Sequence, residues 1–416
     1  RRWLRALPTR SRISPAGSPE GSIVENRIAA ALRRARSRHG FIDLIDTNFH
    51  ACGLAPAPTT LLDAAARYLT DRELRPYRPD PAGLRALREG VSRFYGRDGV
   101  DVPPGAIVAT ASASDSYTHI FRSVAGTDGE VLLPRPGYPL FEEIAARCGL
   151  QPRFYDLDPG AGWRIDAGEV AARMGRRTAA LVVISPNNPT GSIVDGPTLE
   201  SLGAACAREG VSLVVDEVFS AFRFGTETLP RPAALCPETL VYTINGTSKL
   251  AASPDLKVSW IAVTGPQARV AEAVEALEIE NDLYLNASPI NQYVAAVLLD
   301  EESAFTERVV AEVARRRGVM LDELARLDAA HPGALEWSEP RGGIHLPIVL
   351  PDPPLGLDDE ELAIGLLERE ALSVHPGYLY GVEEPTMLIA SYLSPPQVIE
   401  AGMRRLGRFL SSPGTS

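Results

Sequence analysis

Lysine is nearly absent from this sequence. Of the 42 basic residues among 416, Lys249 and Lys257 are the two lysines and the other 40 are arginines. An arginine neither loses its proton near neutral pH nor condenses with a carbonyl, whereas a lysine amine can do both. Chemistry that needs a side-chain amine therefore has two addresses. Cysteine is sparse as well. Cys52, Cys148, Cys206 and Cys236 are scattered without a CxxC pair, which excludes a zinc ribbon or a disulfide framework. A reducing cytoplasm is the expected compartment. The six histidines are dispersed and form no HExxH, so no metal site is expected. No apolar run approaches the roughly 18 residues that span a bilayer. Acids outnumber bases by 53 to 42, giving a net charge of −11, which argues against a nucleic-acid partner. No GxGxxG follows a strand-like run and no GxxxxGK[ST] occurs, so dinucleotide and P-loop sites have no support. The Arg-rich start, Arg1 to Arg12, has no apolar stretch behind it and does not read as a secretory signal.

What remains is an ordinary globular composition, 45% hydrophobic and 23% charged, with ample chain for a core. The stretch from Arg1 to Glu25, rich in Pro, Ser, Gly and Arg, reads as an extended arm. Helices are expected over 28–38, 61–69 and 83–95, the last from Leu84, Leu87, Val91 and Phe94 at helical spacing. From about residue 105 the texture is α/β. Short apolar runs at 107–109, 131–133, 179–184, 212–215, 240–244 and 258–263 alternate with helical stretches. The middle runs are continuously apolar, as in strands buried on both faces of a mainly parallel sheet. A charged helix is expected over 303–327. Beyond it come strands at 344–349 and 387–391 and helices at 358–370 and 396–410, the pattern of a smaller α+β domain. No internal repeat is visible.

Three motifs fall at the ends of successive apolar runs. Ser185-Pro-Asn-Asn-Pro-Thr-Gly191 follows Ile184, Asp216-Glu217 closes 212–215, and Asn245-Gly-Thr-Ser-Lys249 follows Ile244. Parallel sheets bind ligands at the carboxyl ends of their strands, so the three can converge. Singly they have plain readings: a turn, a helix cap and a solvated cation. Together they resemble the class I/II aminotransferases, fold type I enzymes dependent on pyridoxal 5′-phosphate (PLP). The order Asn-Pro-Thr-Gly, Asp, Lys matches, and so do the intervals from Asn188 to Asp216 and from Asp216 to Lys249. The resemblance runs from about residue 40 to 410.

The resemblance implies an α/β fold: a large domain with a mainly parallel, seven-stranded-type sheet and a smaller α+β domain. The expected division is 1–55 as arm and part of the small domain, 56–300 as the PLP-binding domain, and 301–416 as the C-terminal small domain. It implies that Lys249 forms the Schiff base and later moves the substrate proton. Asp216 would pair with the pyridine nitrogen, Asn188 would donate to the phenolic oxygen, and Tyr138 would stack on the ring. The Ala113 and Ser114 amides and the Ser114 hydroxyl would hold the phosphate, with Lys257 adding charge where the family has an Arg. Tyr77 resembles the tyrosine that reaches the phosphate of a neighbouring subunit, which implies a homodimer.

Departures from the family pattern accompany the match. Ser112 replaces a glycine in the phosphate loop, and Phe219 stands where a Tyr often bonds the phenolic oxygen. The segment Pro385–Ser394 holds no Arg to clamp a substrate carboxylate. Tyr392, His345, Tyr284 and Asn48-Phe49-His50 lie in segments that line the pocket in relatives. The expected activity is PLP-dependent amino transfer between an amino acid or amine and an oxo acid, in a specialised biosynthetic role. The alternative is a PLP-dependent decarboxylase, oxidase, lyase or cyclase. A PLP-binding transcription regulator is disfavoured, since only a short stretch precedes the PLP-type region and no helix-turn-helix pattern is visible in it.

Overall fold

The apolar runs become strands because both of their faces are covered. The computed structural model describes residues 26–225 and 229–411, so the arm expected over Arg1 to Glu25 lies outside the described part. The described residues form twelve strands: β1 (Ile42–Asp43), β2 (Ile107–Thr110), β3 (Glu130–Arg135), β4 (Gln151–Asp156), β5 (Thr178–Ile184), β6 (Ser212–Asp216), β7 (Val241–Gly246), β8 (Ser259–Thr264), β9 (His345–Val349), β10 (Leu372–Ser373), β11 (His375–Pro376) and β12 (Met387–Ser391). The chain divides into two units. Among the described residues one comprises 26–47, 315–337 and 345–411, the other 48–225, 229–314 and 338–344.

The larger unit is built on a seven-stranded sheet in the order β2-β8-β7-β6-β5-β3-β4. Pairing is parallel throughout except around β8, which runs antiparallel to β2 and β7. All the other strands therefore end on one edge. One face packs helices Ala113–Val124, Phe141–Arg147 and Gln267–Tyr284 through Tyr117, Phe121, Phe141 and Leu277. The other packs helix Arg85–Arg97 and the start of helix Pro289–Ala330 through Leu87, Val91 and Leu299 against Trp260. The two clusters leave β5 and β6 buried along almost their whole length.

The smaller unit holds the antiparallel sheet β11-β12-β9 and the parallel pair β1-β10. Its helices include Arg27–Arg36, Asp359–Gly365 and Pro396–Ser411. Asp358 and Glu361 close a reciprocal capping box at the second of these, with Asp358 accepting from the Glu361 amide at 2.9 Å.

The sequence reading misses the short strands β10 and β11 and the helix Ala167–Arg173, and two further elements show why such misses occur. Strand β4 is an edge strand, mostly exposed, with Pro152 inside it, so it shows no apolar run. The charged helix expected over 303–327 is the second half of a 42-residue helix, Pro289–Ala330. Its first half carries buried residues at successive positions, Val294, Ala295 and Ala296, which hides the helical period.

The turn after β5 shows why its glycine is needed. Gly191 has φ +69°, and a Cβ there would stand 2.4 Å from the Gly342 carbonyl oxygen and 2.5 Å from Pro340 Cβ. The Gly191 carbonyl accepts from the Arg341 and Gly342 amides at 3.0 and 2.8 Å, tying segment 338–344 to the turn. Gly191→Ala combines left-handed strain with a backbone clash. It is expected to destabilise the chain by more than about 2 kcal/mol. A urea midpoint within experimental scatter of the parent would contradict this.

Candidate active site

The sheet register brings three strand ends together. Ile184 pairs with Asp216, and Asp216 with Ile244, so β5, β6 and β7 stop side by side. Pairing continues one residue further on each side: Ser185 N donates to Asp216 O at 3.0 Å, and Glu217 N to Ile244 O at 2.9 Å. The Asn188 turn, the Asp216 carboxylate and the Lys249 turn of helix therefore leave from one edge.

Asp216 is buried at 6% exposure and held by two donors. Its Oδ1 accepts from the Val218 amide at 2.9 Å and its Oδ2 from the Tyr117 hydroxyl at 2.7 Å. Burial pushes its carboxyl up to about 6, against the pull of both hydrogen bonds. Tyr117 escapes a sequence reading because its position on an amphipathic helix is that of a core residue.

Lys249 sits in the short helix Thr247–Leu250. The preceding Gly246 permits a close approach, since a Cβ there would lie 2.9 Å from the Val258 carbonyl oxygen. The Lys249 amine stands 5.5 Å from the centre of the Phe49 ring and 5.7 Å from that of Phe219. This apolar surround pushes the amine down to about 8, the direction expected for burial. Phe219 thus faces the amine with no hydroxyl. Of Asn48-Phe49-His50, the ring of Phe49 is the part brought to the amine. Asn48 and His50 are exposed, and Asn48 Oδ1 caps the His50 amide at 3.1 Å.

The cradle expected for the phosphate opens helix Ala113–Val124. Ser112 has φ −169°, extended backbone open to any residue, so this position does not require glycine. Its hydroxyl caps the helix, accepting from Asp115 N at 3.1 Å. The Ala113 and Ser114 amides belong to the first turn, where helical amides lack intrahelical acceptors and the helix dipole favours an anion. The Ser114 hydroxyl lies 3.2 Å from the Tyr138 hydroxyl, and the Tyr138 ring meets Phe141 edge-on at 5.5 Å. Burial raises the Tyr138 hydroxyl above its ordinary value.

Asn188 is partly buried, and its side-chain Oδ1 is a buried atom without a hydrogen-bond partner. Its neighbour Asn187 is engaged internally, accepting from the Thr190 amide and hydroxyl. Lys257 is exposed, with φ 55°. Tyr77 is 74% exposed. Tyr284 is also exposed, and Arg122 donates to its hydroxyl at 2.8 Å. In the smaller unit Tyr392 and His345 are buried. There the long helix brings buried Arg316 to the segment that holds no Arg of its own, where it donates to the Leu393 carbonyl.

The family profile described as "Aminotransferase class I and II" matches residues 53–404. The chain belongs to the class I and II aminotransferases. It is a fold type I enzyme of amino-group transfer with PLP as its cofactor. A probable aspartate/prephenate aminotransferase of Aquifex aeolicus is 26% identical over 363 residues, covering 85% of this chain and 88% of its own length. An Arabidopsis thaliana S-alkyl-thiohydroximate lyase is 31% identical over 237 residues, 56% of this chain and 51% of its own length. Among solved structures, an alanine aminotransferase from Pyrococcus furiosus superposes with a TM-score of 0.85 at 23% identity, covering 95% of this chain and all of that one. No helix among the described residues of this aminotransferase is long and apolar enough to cross a membrane.

The donor set fits PLP. An amine shielded from water suits an aldehyde. A buried carboxylate suits a pyridinium, and a helix start suits a phosphate. The Asn188 Oδ1 is a buried acceptor without a partner, which calls for a donor that a bound group would bring.

Proposed function

We propose that Lys249 is the residue that carries PLP and moves the substrate proton, in a pocket that recognises its donor without a small-domain Arg clamp in 385–394. The observation that carries this reading is the buried pairing of opposite tendencies on adjacent strand ends. The Lys249 amine is pushed down to about 8 and the Asp216 carboxyl up to about 6. An amine near 8 has a substantial uncharged fraction at working pH and can act as nucleophile and base. When bound, PLP supplies a ring that accepts the electron pair left on the substrate carbon.

The chain's own residues orient and tune that ring. Asp216 holds the pyridine nitrogen protonated. Asn188 donates to the phenolic oxygen, without the second donor that a Tyr in place of Phe219 would give. Tyr138 covers the ring. The Ala113 and Ser114 amides and the Ser114 hydroxyl hold the phosphate, and Lys257 reaches it on a flexible stem. Tyr77 serves the phosphate of a second copy in a homodimer, a role that its exposure supports. The enzyme works in the cytoplasm, as its free cysteines suggest. The donor is an amine, or an amino acid whose carboxylate is held by other groups, and the role is biosynthetic.

A second reading keeps PLP and changes the outcome to decarboxylation, oxidation, elimination or cyclisation. It is favoured by the segment without Arg and by the likeness to a relative named a lyase. One experiment separates the two. PLP-loaded enzyme is mixed with pooled amino acids and amines without any oxo acid, and the cofactor is weighed by mass spectrometry. Amino transfer predicts conversion to pyridoxamine phosphate. Cofactor that stays PLP while an amine is consumed, with release of carbon dioxide or peroxide, would overturn amino transfer as the main reaction.

A further inference from the structure

Tyr117 is buried at 1% exposure on the helix whose first turn is the phosphate cradle. Its position is three residues past Ser114, so the Tyr117 side chain lies on the same helical face one turn further in. The ring is wedged by Phe141, edge-on at 4.9 Å, and by Phe121 at 5.7 Å. Both contacts fix where the hydroxyl points. It donates at 2.7 Å to Asp216 Oδ2, while the Val218 amide fixes Oδ1. A carboxylate with one donor on each oxygen cannot rotate freely. Each oxygen keeps a lone pair for a further partner.

We propose that Tyr117 is a positioning residue that holds Asp216 ionised and aimed at the pyridine nitrogen, an inference that rests on the proposed role of Asp216. A donor to a carboxylate stabilises its charged form over its neutral form. In the Asp216–ring pair one proton is shared between a carboxylate and a nitrogen. Whatever makes the carboxylate the weaker base leaves the proton on the nitrogen, where it makes the ring a better electron acceptor.

A phenol suits this task. Burial and the Asp216 charge drive the Tyr117 hydroxyl well above its ordinary range, so it stays a neutral donor at any working pH. The titratable groups that act on it are Asp216, Tyr138 and Tyr155, and burial raises both of those tyrosines too. No cation is among them to compete for the carboxylate. The same helix thus carries the first-turn amides that would hold the phosphate and, one turn later, the hydroxyl that anchors Asp216.

The test uses Tyr117→Phe, Asp216→Asn and the double variant, each loaded with PLP carrying 15N in the ring. Phenylalanine keeps both ring contacts, and melting curves of the cofactor-free proteins verify the fold. The 15N shift reads the ring proton directly, and equilibrium dialysis reads cofactor affinity. Tyr117→Phe is expected to move the signal toward unprotonated nitrogen. It is also expected to weaken PLP binding by about tenfold or more, the scale of a hydrogen bond to a charged group. In the Asp216→Asn background the same substitution is expected to change neither, because its effect passes through Asp216. If Tyr117→Phe lowers only the melting temperature and leaves shift and affinity alone, Tyr117 is a core tyrosine and the inference fails by itself. If Asp216→Asn leaves the 15N shift unmoved, the reading of Asp216 fails and takes this one with it.

Discussion

Replacing Lys249 by Met is expected to abolish amino transfer and, at the same time, to stabilise the cofactor-free chain. The activity loss follows from removing both the nucleophile and the proton carrier. It should reach at least about 10⁴-fold, the upper range for a single proton-transferring group. The stability gain follows from the same burial that makes the amine reactive. A lysine pushed from 10.5 to about 8 is disfavoured as a cation in the fold. The unfolded chain binds that proton more tightly, so this group's penalty is fully present below pH 8. It fades as pH rises from about 8 toward 10.5. Its ceiling is about 3 kcal/mol at 1.36 kcal/mol per pKa unit. Methionine keeps most of the side-chain volume between Phe49 and Phe219 and carries no charge. Urea unfolding of the cofactor-free proteins at pH 7 and pH 10 checks this. The stabilisation should be larger at pH 7. A stabilisation equal at both pH values would show that the amine is not desolvated.

Asp216→Asn is the second large effect. Loss of the charge opposite the pyridine nitrogen should slow conversion of PLP to pyridoxamine phosphate by about 10²–10³-fold, the scale for removing one electrostatic stabiliser. The carboxyl is raised in the fold from 3.8 to about 6, so the folded chain keeps a proton that the unfolded chain has lost. This group's contribution therefore declines as pH rises from about 4 to 6, and the penalty is complete above pH 6. At about two pKa units it amounts to about 3 kcal/mol. Asparagine removes the charge but offers one acceptor oxygen to two donors, Tyr117 and Val218. The net gain at pH 7 is therefore expected nearer 1–2 kcal/mol, after the loss of about one hydrogen bond. Thermal melts of the cofactor-free proteins across pH 4–8 test it. A variant less stable than the parent at pH 7 would contradict the account. Both substitutions express one trade: the groups that perform the chemistry are the ones the empty fold tolerates least.

The framework of this site was legible because burial writes itself into sequence. Strands β5 and β6 are covered on both faces, so they read as unbroken apolar runs, and the polar residue ending each run stands out. Asn188 and Lys249 follow β5 and β7, and Asp216 ends β6 between them, for that reason, and β12 spans the run read at 387–391. What stayed hidden depends on partners that are distant in sequence. Tyr117 and Asp216 are 99 positions apart, and the rings of Phe49 and Phe219 meet the Lys249 amine from separate segments. No local pattern announces such meetings. Ser112 reads as a departure from a glycine loop, and in the fold it is extended backbone and an N-cap. Lys257 and Tyr77, expected at the phosphate, are both exposed on this chain. For Tyr77 the expected partner is a second copy, which one sequence does not contain.

The scarcity of lysine makes the central claim directly measurable. The PLP-loaded enzyme is reduced with borohydride, digested and mapped by mass spectrometry. With two lysines in the chain, the cofactor mass has two side-chain positions to occupy. The account predicts one phosphopyridoxyl group per chain, on the peptide containing Lys249, with Lys257 unmodified. Modification at Lys257, or no modification in a preparation that retains PLP, would contradict it.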